Sequence, residues 1–132
     1  MKNQIKLLAF ITLALLSVKS FSQSGNSIVI TPAISAQSNA FKNLSGQNRL
    51  TEFKALQSLI ITKSSKISCA STIVTDDLTT KAEVYNLLGT PSIILSPNLV
   101  AYYLSANNQS CQAVIGIDSN GLILHTHINN CP

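Results

Sequence analysis

The tightest local constraint in this chain lies between Thr80 and Pro91, where a helix has both of its ends written into the residues. Thr80-Lys81-Ala82-Glu83 is a capping box: the Thr80 hydroxyl accepts from the amide of Glu83, and the Glu83 carboxylate reaches back to the amide of Thr80. Val84, Leu87 and Leu88 form an apolar stripe with Ala82 and Tyr85 beside it. Gly89 supplies the left-handed residue that ends a helix, and Pro91 prevents its continuation. The spacing predicts a short helix over 81–88, then an immediate change of direction.

The chain beyond Pro91 reads as strands. Residues 92–95 and 99–104 are apolar and β-branched or aromatic, broken at Ser96-Pro97-Asn98, and 107–110 is a loop. The run 112–117 leads into Asp118-Ser119-Asn120-Gly121, a strong turn signal, and 122–128 returns as the last strand. Upstream, Leu50, Phe53, Leu56 or Gln57, and Ile60 recur at helical spacing, which predicts an amphipathic helix over 48–61. Residues 67–74 are a strand or an extended connector, and Asp76-Asp77 open a turn. Residues 23–46, rich in Ser, Asn and Ala, read as a loosely ordered N-terminal arm with a possible edge strand at Ile28-Val29-Ile30, stopped by Pro32. The order helix, helix, strand meander predicts an α+β fold in which two helices pack on one face of a small antiparallel sheet, spanning 47–132.

The run Thr80 to Pro91 resembles the T-x-x-x-V-x-x-x-L-G-x-P signature of the SmpA/OmlA (BamE-like) family of outer-membrane assembly accessory proteins. Tyr102-Tyr103-Leu104 and the later Asp118, Gly121 and Ile123 are similar to the strands that come after it in that family. The resemblance covers about half of the chain beyond residue 22. It implies two helices on a three-stranded antiparallel sheet, an architecture that β-lactamase-inhibitor proteins also resemble, and a non-enzymatic role in holding a protein partner. The chain departs from the pattern at Leu78, where the family has Gly, at Val100, where Trp is common, and in lacking the lipidated cysteine. The shared residues set helix ends and packing, and a fold does not by itself carry a function.

The N-terminus predicts export. Lys2 and Lys6 precede an apolar run from Leu7 to Leu16, and Ser20-Phe21-Ser22 offers the small residues a signal peptidase needs, so 1–22 reads as a cleavable signal peptide. The apolar run falls short of the roughly 20 residues that span a bilayer. Once the signal is removed, Lys42, Arg49, Lys54, Lys63, Lys66 and Lys81 face Glu52, Asp76, Asp77, Glu83 and Asp118, a net charge of +1. No concentrated basic face remains for nucleic acid. The expected location is the periplasm or the outside of the cell, without stable membrane insertion.

Cys69, Cys111 and Cys131 would then meet an oxidising compartment. Cys111 and Cys131 flank the predicted hairpin, so they are the preferred disulfide pair. The sequence leaves pairing of Cys69 with either of them open. None forms the C-x-x-C of a thioredoxin-like centre.

Few residues offer chemistry. His125 and His127, one residue apart on a predicted strand, project from one face and could seat two imidazoles on a metal ion, although no third ligand is evident. Asp76-Asp77 are neighbours in a turn, where carboxylates favour a helix N-terminus more often than they converge on a substrate. No nucleophile elbow or phosphate-cradling glycine loop is present. Tyr102 and Tyr103 must point to opposite faces of their strand, one into the core and one outward as a possible contact for a partner. The expectation is an exported binding module that is not an enzyme and holds no cofactor. The alternatives are a small metal-dependent or hydrolytic protein centred on His125 and His127, and a structural envelope protein with no defined ligand.

Overall fold

A computed structural model describes residues 28–64 and 78–132 of the 132-residue chain. The signal-like segment, Cys69, the stretch 67–74 and Asp76-Asp77 lie outside the described residues. Within them the fold is α+β, with three helices and a four-stranded antiparallel sheet: α1 Pro32–Asn43, α2 Leu50–Gln57, α3 Lys81–Leu88, β1 Ile93–Ser96, β2 Leu99–Tyr103, β3 Gln112–Ile117 and β4 Ile123–Asn129.

Helix α1 corrects the expectation of a loosely ordered arm over this stretch, and Ile28-Val29-Ile30 form no strand. Pro32 looks like a terminator in the sequence, but at the first turn of a helix its missing N–H costs nothing. Thr31 caps the helix, its hydroxyl accepting from the Ile34 amide at 3.2 Å. Only Ser38 and Phe41 of α1 are buried. Ser38 seals against α3 by donating to the Leu87 carbonyl at 2.6 Å. A helix that packs mainly through one aromatic ring and one hydroxyl leaves little hydrophobic periodicity to read.

The capped helix forms as its residues dictate. The Thr80 hydroxyl accepts from the Glu83 amide at 3.1 Å, and Glu83 Oε1 accepts from the Thr80 amide at 3.0 Å. Gly89, at φ 85°, ends α3 with its amide on the Tyr85 carbonyl at 2.8 Å. Helix α2 is shorter than the expected span; beyond Gln57 the chain continues in turns in which the Leu59 and Ile60 amides donate to the Leu56 and Gln57 carbonyls.

The sheet runs β1-β2-β3-β4 in chain order, each strand antiparallel to the last. The β3–β4 turn is held by Asp118, whose Oδ1 accepts from the amides of Asn120 at 2.8 Å and Leu122 at 2.9 Å, with Gly121 at φ 80°. One sheet face meets the helices. Val100, Tyr102, Ala113, Ile115, Ile117 and Ile123 from the strands form one core with Phe41, Phe53, Leu56, Val84, Leu87 and Leu88 from the helices. Thr79 ties the layers together. Its amide donates to the Ile61 carbonyl, its hydroxyl accepts from the Ile61 amide at 2.8 Å, and its carbonyl accepts from the Ile123 amide.

Cys111 and Cys131 are bridged, with their Cα atoms 4.5 Å apart. The disulfide closes the hairpin at the end opposite its turn and fixes the C-terminal residues against β3. A sequence separation of 20 corresponds to about 3 kcal/mol of stabilisation on the chain-entropy model. Reduction should lower the melting temperature on the order of 15 °C for a domain of this size. Cys131→Ser should melt at the lower temperature with or without reductant, whereas Cys69→Ser should keep the full response. Thermal melts of the three proteins with and without dithiothreitol check this.

Candidate functional site

With the described helices on one face of the sheet, no described helix covers the other, the open face. Its residues are set by the period of two and by the register. One row runs Ile93, Ala101, Val114, His127; the next runs Leu99, Gly116, His125; a third runs Tyr103, Gln112, Asn129. None of these is Lys, Arg, Asp or Glu. Small residues occupy the centre of the face: Ala101 and Gly116 are buried and Val114 is only 4 % exposed.

Of the two tyrosines singled out by the sequence, Tyr102 is the core residue. It is fully buried, lies 6.0 Å edge-on to Phe41, and donates its hydroxyl to the Gly89 carbonyl at 2.7 Å. That role removes it from any contact surface. Tyr103 lies on the opposite face and is half-buried.

His125 and His127 share the open face, their ring centroids 5.2 Å apart and their planes 32° from parallel. His125 lies over Gly116: a Cβ built on Gly116 would stand 2.8 Å from both His125 Cδ2 and Cε1, and closer still to Nε2. The glycine is thus a seat for the imidazole. His125 Nδ1 is buried without a hydrogen-bond partner among the described residues. No third His, Cys, Asp or Glu joins the pair among those residues. A structural zinc site takes four protein ligands and a catalytic one three. Asp118 is occupied at the turn, and Cys131 is in the disulfide.

The residue that sequence reasoning missed is Arg49. In the sequence it counts only as a charge, yet it is 3 % exposed. Its Nε donates to the Tyr103 carbonyl at 2.8 Å, one terminal nitrogen donates to the Phe41 carbonyl at 3.1 Å, and the other is 3.5 Å from the Ser92 hydroxyl. The guanidinium carbon lies 4.0 Å from the Phe41 ring centroid, a cation–π contact. No described carboxylate pairs with it. Burial therefore pulls its pKa below the usual value, an effect that the nearby Tyr102 partly opposes. The position before the Leu50 stripe carries no signal of this role, because the acceptors are backbone carbonyls from other elements.

Compared with known proteins, the chain matches no family model, no curated protein and no solved structure.

The Tyr102 and His125 contacts each set the outcome of an experiment. Burial, and next the neighbouring Tyr85, push the Tyr102 hydroxyl well above its ordinary pKa, with Arg49 opposing. A raised folded-state value means that the stabilisation is complete below the unfolded tyrosine pKa of about 10 and is lost as pH rises through the folded value. Tyr102→Phe should cost about 1 kcal/mol at pH 7, and the difference from wild type should shrink above about pH 10. Urea unfolding across neutral and alkaline pH measures it. For the imidazole seat, Gly116→Ala should displace the His125 ring and cost about 1 kcal/mol. In the His125→Ala background the same change should cost far less, and a double-mutant cycle reads the coupling.

Proposed function

We infer that this chain is an exported, non-enzymatic binding module of the cell envelope that holds a protein partner against the open face of its sheet. The observation that carries the reading is the make-up of that face. Its rows hold no Lys, Arg, Asp or Glu, and it carries Tyr103 and two histidines. Protein interfaces are depleted of charge at their centre and enriched in aromatic residues, and such patches gain from excluding water over a flat contact. The signal-like N-terminus supports export, and the disulfide is in keeping with an oxidising compartment. The helix-to-strand motif from Thr80 to Pro91 supports a BamE-like envelope role, with four strands here in place of three.

The test is capture of a partner from envelope and culture-medium fractions by immobilised protein. Wild type should retain one or more proteins that survive washing. Tyr103→Glu/His127→Glu, which plants two carboxylates on the open face, should weaken capture by about a hundredfold. A charge added on the exposed side of α1, Ser35→Glu, should leave it intact, and melting temperatures establish that each variant folds. Capture that the face variant retains in full, or no capture above background from either fraction, would overturn the assignment.

A further inference from the structure

Arg49 has binding capacity that its structural role does not exhaust. A guanidinium carries five N–H donors in a rigid planar fork. Three are spent, on two neutral carbonyls and a hydroxyl, so the charge itself stays uncompensated by any described carboxylate. The remaining two donors have no partner among the described residues. Taking a cation out of water is unfavourable unless another charge or a full set of hydrogen bonds replaces the solvent.

Arg49 also lines a cavity of ≈ 210 Å³, together with Lys42, Ser45, Leu88, Gly89 and Thr90. Lys42 supplies a second cation at its wall, and Ser45 and Thr90 supply two hydroxyls. The Lys42 stem runs close to Gly89, where a Cβ would stand 3.5 Å from Lys42 Cγ. Carbonyl oxygens at the ends of α1 and α3 could repel an anion, but several of them are already engaged. The Ala40 and Lys42 carbonyls accept from the Leu44 and Ser45 amides, Phe41 accepts from Arg49, and Gly89 accepts from the Tyr102 hydroxyl.

We propose that this cavity binds a small carboxylate, gripped by the two unspent N–H groups of Arg49 and by the Lys42 ammonium. The guanidinium fork matches the two oxygens of a planar carboxylate. The volume restricts the ligand to a short acid or to one carboxylate group of a larger molecule. This site is built from Arg49 and the ends of α1 and α3, and it does not depend on the reading of the open sheet face.

Sodium acetate is the probe, titrated against chloride at constant ionic strength into the isotope-labelled protein. The Arg49 Nε–H signal and the Gly89 and Thr90 amides should shift together and saturate. Lys42→Gln should weaken binding about fivefold by removing one charge. Arg49→Lys, observed at the Gly89 and Thr90 amides, should weaken it further, because the charge stays while the fork is lost. Lys54→Gln, on the exposed side of α2, should change nothing. If Arg49→Lys fails to fold, the Lys42 variant and the wild-type titration still decide the matter. Shifts that never saturate, an unchanged affinity in Lys42→Gln, or tighter binding of phosphate than of acetate would each overturn the proposal.

Discussion

A buried cation without a described carboxylate partner organises this fold. Arg49 sits at the N-cap of α2, where its backbone amide donates to the Leu104 carbonyl just past β2 and its carbonyl accepts from the Phe53 amide. Its side chain reaches the Phe41 carbonyl of α1 and the Tyr103 carbonyl of β2. One residue therefore links the first helix, the second helix and a central strand of the sheet. The arrangement is stable because each neutral acceptor takes a charge-assisted bond, worth about 1.5–3 kcal/mol, and because the Phe41 ring offers its negative face to the cation. Phe41 in turn packs against Phe53 and Tyr102, so the polar staple and the aromatic core share one residue.

The other end of the molecule is fastened differently. Around Thr79 and Thr80, the turns beyond α2, the start of α3 and the start of β4 meet through backbone bonds: Thr79 to Ile61, Ile123 to Thr79, and Lys81 to Gly121. The Thr80–Leu122 bridge adds a short antiparallel contact beside the last strand. Helix α3 is fixed at both ends, by its capping box and by the Tyr102 hydroxyl on Gly89. The disulfide then closes the hairpin that contributes β3 and β4. These fastenings add to the one core that the described helices and strands share.

Chemistry that acts between near neighbours is what the residues make legible. The capping box, the glycine that ends α3 and the Asp118 turn are all local, and they lie where their patterns place them. The pairing of Cys111 with Cys131 is legible because a hairpin brings its ends together whatever else the chain does. The common face of His125 and His127 comes from strand alternation alone. Helix α1 is hidden because its contact with α3 runs through Ser38 and a carbonyl, which leave no apolar stripe, and because Pro32 reads equally as a stop and as a first turn. Arg49 is hidden for a related reason. Its partners are main-chain oxygens, one of them 54 residues away, and every residue type has that atom. The seat that Gly116 makes for His125 needs the cross-strand register, which no local pattern encodes.

The contrast between the two sheet faces has the same physical origin. On the helix side, large side chains fill the space between layers, and the polar strand residue Thr126 is met there by the Gln57 side-chain amide at 3.1 Å. On the open side no described helix packs, yet Ala101, Val114 and Gly116 are buried. Over Gly116 the cover is the imidazole of His125. The centre of this face offers little apolar area to water. A partner on this face, as proposed, would meet chiefly its less buried residues, Tyr103, Leu99 and His127. Under the proposed reading, contact with a partner would come from those margin residues, because the buried centre has little area left to cover.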